Sequence, residues 1–112
     1  MTAVAPFSNR HVALASGIRL RVLEWRANET DADAILMVHG LASNATLWQG
    51  AAASFVSFGH HAIAIDQRGH GHSDKPDDGY DMGSVADDLA HLIDVLGESG
   101  MSKPVVAGQS WG

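Results

Sequence analysis

Apolar residues in this chain occur in short groups, and the spacing within the groups changes along the sequence. From Ile18 to Trp25 apolar and polar residues mostly alternate, and a second strand-like stretch, His11 to Ser16, precedes Gly17. Alternation with a period of two is typical of a strand that has one face in solvent. We therefore predict a half-exposed antiparallel pair of strands near the start of the chain.

Three later groups are almost continuously apolar and are bounded by polar or turn-forming residues. They cover Ala34 to Val38, His61 to Ile65, and Val105 to Ala107. A strand that is apolar on both faces is typical of a parallel sheet covered by helices on both sides. These groups predict three buried parallel strands.

Two segments between these strands have apolar residues at helical spacing. The first runs from Ala45 to Phe58 and stops at Gly59, and the second runs from about Met82 to Leu96 after a candidate N-cap, Asp81. The first helix has its apolar residues at Leu47, Trp48, Ala51, Phe55 and Phe58. The second predicts a buried stripe of Val85, Leu89, Leu92, Ile93 and Leu96 and a solvent face of Asp87, Asp88, His91 and Asp94.

The order of these elements predicts an α/β fold. Strands that alternate with helices indicate a mostly parallel sheet with helices on both faces and right-handed crossovers, here preceded by an antiparallel hairpin. In such sheets ligands bind at the carboxyl ends of the strands. Residues that carry the chemistry are therefore expected directly after each strand.

Composition narrows the possible partners. The 112 residues are enough for one domain, and the formal net charge of −6 without a basic cluster argues against nucleic acid and anionic membranes as partners. The chain has no cysteine, so disulfides and thiolate metal sites are excluded. Neither a signal-peptide pattern nor an apolar run of membrane-spanning length is found, so we expect a cytoplasmic protein. We also expect no cofactor.

Each predicted parallel strand is followed by a distinctive motif. The first leads into His39-Gly40-Leu41, the second into the stretch Asp66-Gln67-Arg68-Gly69-His70-Gly71-His72-Ser73, and the third into Gly108-Gln109-Ser110-Trp111-Gly112. The last of these has the form G-x-S-x-G, which places a serine on a tight turn between a strand and a helix. A strand directly before it makes the pattern much more specific than the five residues alone.

In this order and spacing the three motifs resemble the α/β-hydrolase superfamily, in its branch with a serine nucleophile. The resemblance runs from about His11 to Gly112. It implies that residues 1–112 form the N-terminal half of a single α/β-hydrolase domain. This half is truncated after the tight turn that carries Ser110, which is called the nucleophile elbow. The triad acid and histidine are then expected beyond Gly112, because the order in the superfamily is serine, acid, histidine.

The resemblance assigns a role to several residues. Ser110 would be the nucleophile, and the backbone N–H groups of Leu41 and Trp111 would form the oxyanion hole. His39 would be a structural hydrogen-bonding residue rather than the general base, and Asp66 and Arg68 would fix their loop. The glycines would shape the supporting turns: Gly40 beside the oxyanion donor, and Gly108 and Gly112 around the elbow.

The expected substrate is a small acyl compound with an ester, lactone or activated carbon–carbon bond. The tryptophan directly after the nucleophile, Trp111 after Ser110, is similar to the dehalogenase and epoxide hydrolase branch. In that branch, however, the nucleophile is aspartate. Those two reactions need an aspartyl ester that is itself hydrolysed, so a serine disfavours them. Residues 1–112 alone are expected to be inactive. They are also expected to be only marginally stable as a soluble monomer, because the edge of the Val105 strand is left unpaired.

Two other classes of function are compatible with these residues. One is a non-catalytic ligand-binding module on the same scaffold. The other is a zinc-dependent hydrolase, because His70, His72 and Asp74 form an H-x-H-x-D pattern with two imidazoles and a carboxylate. The zinc motif normally continues with a further histidine, where this chain has Lys75. Oligomeric state is left open.

Overall fold

The computed structural model describes residues 8–27, 33–40, 43–98 and 104–109. The elements in chain order are strands β1 (Ser8–Ala13), β2 (Arg19–Trp25) and β3 (Ala34–Val38), a 3-10 turn (Ala45–Trp48), helix α1 (Gln49–Ser57), strand β4 (His61–Ile65), helix α2 (Met82–Glu98) and strand β5 (Val105–Gly108).

The described strands form one mixed sheet in the order β1-β2-β4-β3-β5. Strand β3 lies in the middle of a parallel group, with β4 on one side and β5 on the other. Strands β1 and β2 form an antiparallel hairpin, and β2 also pairs antiparallel with β4. The predicted α/β class, the parallel strands and the N-terminal hairpin are confirmed.

Apolar side chains pack on both faces of this sheet. On one face, strand residues such as Leu36 and Ile63 pack with Leu92 and Leu96 of α2. On the other face, Met37 and its neighbours pack with Ala52 of α1. Successive residues of one strand point to opposite faces, so a continuous apolar run is needed to line both cores.

Strand β2 differs from its predicted half-exposed state. From Leu20 to Trp25 every residue is buried, including Glu24, and Arg19 alone is exposed. The reason is position: β2 lies between β1 and β4, and its two faces contribute to both apolar clusters. Strand β1 at the edge of the sheet is mostly exposed instead.

The first predicted helix begins as a 3-10 turn before α1. The side chain of Asn44 caps this turn by accepting a hydrogen bond from the backbone N–H of Thr46 at 2.9 Å. Gly59 follows the helix with φ of +89°, which suits the glycine expected at this stop. The apolar spacing overestimated the buried face, because Leu47 is exposed and Phe58 keeps 80% of its surface in solvent.

Strand β5 is parallel to β3 as predicted, but it is not buried. Val105 retains 63% of its surface in solvent, and Val106 is also exposed. In the described sheet β5 has one strand neighbour, β3, and lies at the edge. An apolar strand sequence therefore did not predict burial at this position.

Helix α2 carries an ion pair where a solvent face was predicted. Asp88 is buried, and its two carboxylate oxygens accept hydrogen bonds from Nε and Nη2 of Arg68 at 2.7 and 2.8 Å. Hydrogen bonding to Asp88 also raises the pKa of Arg68 above its ordinary value. The bidentate pair joins α2 to the loop that follows β4.

We expect the Asp88→Asn substitution to lower the free energy of unfolding by about 3 kcal/mol, because it leaves the buried Arg68 guanidinium without its counter-charge. Urea denaturation of the purified protein measures this loss. The matched control is Asp87→Asn on the exposed side of the same helix, which should change stability by less than about 0.5 kcal/mol. Equal effects of the two substitutions would contradict a stabilising role for the pair.

Candidate active site

The carboxyl ends of β3, β4 and β5 lie side by side, and together they form the carboxyl edge of the sheet, where these strands terminate. Val38, the last residue of β3, is in register with Ile65 of β4 and with Gly108 of β5. The backbone N–H of Gln109 continues this pairing by donating to the Val38 carbonyl at 3.2 Å. The segments that begin at His39, Asp66 and Gln109 therefore all start from the carboxyl edge of the sheet.

His39 is fully buried and both of its ring nitrogens have partners. Nε2 accepts a hydrogen bond from the backbone N–H of Gln67 at 2.9 Å, and Nδ1 lies 2.6 Å from the Gly40 carbonyl oxygen. Because a backbone N–H can only donate and a carbonyl can only accept, the ring is neutral with its proton on Nδ1. The Nε2 lone pair is therefore occupied and is not available to a substrate.

The environment of His39 disfavours its protonation. Burial lowers the pKa of the imidazole below its ordinary value, although the hydrogen bond to Gly40 works in the opposite direction. The ring of His70 lies 4.9 Å away between centroids, and its charge further lowers the pKa of His39. His39 thus remains neutral at pH values where an exposed histidine begins to titrate.

Gln67 makes a second contact to the same residue through its side chain. Its Nε2 donates to the His39 carbonyl oxygen at 2.6 Å, and the side chain is buried. The backbone and side chain of Gln67 therefore hold the backbone and side chain of His39. The sequence pattern does not single out Gln67, because nothing in it shows which residue the side-chain amide contacts.

Asp66 has a fully buried carboxylate that accepts three hydrogen bonds. Oδ1 accepts from the backbone N–H of Ala45 at 2.7 Å, while Oδ2 accepts from Nη1 of Arg21 at 3.2 Å and from the backbone N–H of His72 at 2.9 Å. A Cβ on Gly71, whose φ is +51°, would overlap this carboxylate. Asp66 is predicted to fix its loop, and its carboxylate contacts three separate segments of the chain.

The loop after β4 is also bonded along β2. The backbone N–H of Arg21 donates to Oγ of Ser73 at 2.7 Å. The backbone N–H of Arg19 donates to Oδ2 of Asp74, and the backbone N–H of Asp74 donates to the Arg19 carbonyl, both at 2.9 Å. The hydrogen bond from the Arg19 backbone to the Asp74 carboxylate, together with the Arg19 charge, lowers the pKa of Asp74. The loop is therefore held by both its carboxylates and its backbone.

These contacts do not favour the zinc alternative. The Asp74 carboxylate is engaged by Arg19, and His72 is exposed while its backbone carbonyl accepts from Nε2 of His11. Among residues 8–27, 33–40, 43–98 and 104–109, no group of three histidine, aspartate or glutamate side chains is placed to hold a metal ion. His70, His72 and Asp74 are thus not brought together as ligands.

The predicted site residues lie partly within the described part of the chain. Gly40 follows His39 at the end of β3, and Gly108 is the last residue of β5. Four predicted residues lie outside the described part of the chain: Leu41, Ser110, Trp111 and Gly112. Within the described part, no helix is both long and apolar enough to cross a membrane.

Comparison with known proteins identifies the family. The family model for the alpha/beta hydrolase fold matches residues 33–112. The chain therefore belongs to the α/β-hydrolase family, as the resemblance of its three strand-end motifs implied.

Relatives of this chain are named for different enzyme activities. Epoxide hydrolase A of Mycobacterium tuberculosis is 34% identical over 99 residues, which cover 87% of this chain and 29% of that protein. The bifunctional esterase/perhydrolase DCH of Acinetobacter calcoaceticus is 32% identical over 90 residues, covering 80% of this chain and 32% of that protein. The crystal structure of epoxide hydrolase VrEH1 from Vigna radiata superposes with a TM-score of 0.83 at 26% identity, over 94% of this chain and 31% of that one. The chain thus spans about a third of the length of these relatives.

The neutral state of His39 predicts a specific loss of stability in acid. The unfolded chain takes up this proton near the ordinary pKa of about 6.5, whereas the folded chain resists it. The contribution is therefore complete above that pH and declines as pH falls towards the lowered pKa, by up to about 1.4 kcal/mol per pH unit. We expect His39→Gln to reduce the slope of stability against pH in the range directly below the ordinary pKa of about 6.5.

Urea denaturation at a series of pH values measures this slope, with the exposed His72→Gln as the matched control. Parallel curves for wild type and His39→Gln would contradict the account. An NMR titration of the wild-type imidazole gives the same answer without a variant, because the His39 ring should remain neutral below pH 6.5.

Proposed function

We propose that this chain supplies the nucleophile-bearing half of a serine hydrolase that cleaves a carbonyl substrate such as an ester, a lactone or an activated carbon–carbon bond. The observation that carries the proposal is the hydrogen bond from Gln109 N–H to the Val38 carbonyl. It ties the residue before Ser110 to the residue before His39, so the predicted nucleophile and the predicted oxyanion turn leave neighbouring strands at one edge.

In the proposed reaction Ser110 attacks the substrate carbonyl and passes its proton to a histidine. The proposal takes that histidine and the triad acid from beyond Gly112, as the superfamily order of serine, acid and histidine implies. His39 is not the base, because its Nε2 lone pair is already occupied. The carbonyl oxygen gains negative charge and is stabilised by the backbone N–H groups of Leu41 and Trp111. The leaving group departs with the proton, and water then hydrolyses the acyl ester and restores the Ser110 hydroxyl.

The serine favours carbonyl substrates over epoxides, although relatives of this chain include epoxide hydrolases. Attack of a serine oxygen on an epoxide would leave an ether, which water does not cleave under these conditions. An aspartate nucleophile leaves an ester instead, which can turn over. The similarity to an esterase/perhydrolase supports the carbonyl assignment.

The test is active-site labelling of the full-length protein that carries this chain. We expect a fluorophosphonate to modify Ser110 stoichiometrically, and Ser110→Ala to abolish labelling and lower ester turnover by at least about 10³-fold. The control Ser57→Ala, at the exposed end of α1, should behave as wild type. Residues 1–112 alone should show no turnover.

Three outcomes would overturn the proposal. Labelling at a residue other than Ser110 would show a different nucleophile. Retained turnover in Ser110→Ala would exclude an acyl-enzyme at this serine. No labelling of a folded full-length protein would favour a ligand-binding module on the hydrolase scaffold.

A further inference from the structure

Gln67 is a polar side chain in an almost fully buried position, with 2% of its surface exposed. Its amide nitrogen is paired with the His39 carbonyl, but its Oε1 is buried and has no hydrogen-bond partner among the described residues. The two ends of the amide cannot be exchanged, because only the nitrogen can donate to a carbonyl oxygen. Methionine, an apolar side chain of similar length, would remove the unpaired Oε1 but would also leave the buried His39 carbonyl without this donor. The hydrogen bond to the His39 carbonyl is therefore the contact that distinguishes glutamine from an apolar residue at this position.

The contacts of Gln67 control the orientation of the turn after β3. Its side-chain amide holds the His39 carbonyl, and its backbone N–H holds Nε2 of the His39 ring. The ring in turn donates from Nδ1 to the Gly40 carbonyl. The His39 carbonyl and ring are thus held from the loop after β4, and the Gly40 carbonyl is held by the His39 ring and, at 3.3 Å, by the backbone N–H of Ser43.

Holding these carbonyls also directs the N–H groups that share their peptide units. A peptide unit is planar, and its carbonyl and N–H point in opposite directions. The Gly40 oxygen belongs to the same peptide unit as the N–H of the next residue, so a hydrogen bond to this oxygen acts on that peptide unit. That N–H is the oxyanion donor of the proposed function.

We propose that Gln67 is a positioning residue for the oxyanion hole: through the carbonyl and ring of His39 it fixes the turn whose next amide receives the developing negative charge. The inference rests on the proposed function, because it requires an oxyanion to form beside this turn. Gln67 itself does not touch the substrate. Its effect should appear in the transition state, where the oxyanion forms, and not in the binding of the ground-state substrate.

The test compares Gln67→Met with wild type in the full-length protein. Loss of the side-chain donor should lower kcat for an ester about tenfold, with KM changed less than twofold, and should slow fluorophosphonate labelling of Ser110 by a similar factor. Gln49→Met, the same substitution at the start of α1, is the matched control and should leave all three quantities unchanged. Thermal unfolding verifies that both variants are folded at the assay temperature.

A second variant, Gln67→Glu, keeps the shape of the side chain and makes its hydrogen bonding depend on protonation. The ionised carboxylate cannot donate to the His39 carbonyl, whereas the protonated acid can. We therefore expect the ratio of its kcat to that of wild type to rise as pH is lowered. This readout remains available if the methionine variant does not fold.

The possible failures are distinguishable. Wild-type kcat in a folded Gln67→Met variant, or a change confined to KM, overturns the positioning role while leaving Ser110 as the nucleophile. A kcat ratio for Gln67→Glu that does not change with pH also overturns it. Failure of the fluorophosphonate to label Ser110 in wild type overturns the proposed function and this inference together.

Discussion

The buried carboxylate of Asp66 is the interaction on which the arrangement at the carboxyl edge of the sheet depends. Its three hydrogen bonds reach Arg21 on β2, Ala45 at the start of the 3-10 turn, and His72 farther along its own loop. A buried charge that loses its partners typically costs about 3–5 kcal/mol, so this carboxylate strongly favours the one loop conformation that satisfies it. Gly71 fits against it where no larger residue would.

The two residues after Asp66 extend this anchoring in different directions. Gln67 holds His39 at the end of β3, and Arg68 forms the buried bidentate pair with Asp88 of α2. Three consecutive residues thus connect the loop to β2, to the turn after β3, and to the helix on one face of the sheet. The turn that the proposed function needs is therefore held from a neighbouring loop through Gln67, in addition to the hydrogen bond that the Ser43 N–H donates to the Gly40 carbonyl within the turn. This rigidity matters because oxyanion stabilisation depends on donors that are already oriented.

Much of the fold could be predicted from the order and period of apolar residues, because continuous apolar strands between amphipathic helices are compatible with few architectures. The parallel strands β3, β4 and β5 and the cap at Gly59 followed from local patterns. The burial of β2 and the exposure of Val105 did not, because each depends on which strands are neighbours in the sheet. Asp88 has the spacing of a solvent-facing residue, and only the position of Arg68 makes it a buried one.

For the candidate site, the motifs predicted which segments meet, and the register of β3 with β4 and β5 brings their ends to one edge. The part played by Gln67 could not be predicted, since its partner is 28 residues away and is set by the pairing of two strands. The most direct test of the account is a crystal structure of the full-length protein after reaction with a phosphonate. The account predicts phosphorus bonded to Oγ of Ser110, with the phosphoryl oxygen accepting hydrogen bonds from the amides of Leu41 and Trp111 and with the Gly40 carbonyl still held by His39. Phosphorus on another residue, or a phosphoryl oxygen directed away from those amides, would contradict it.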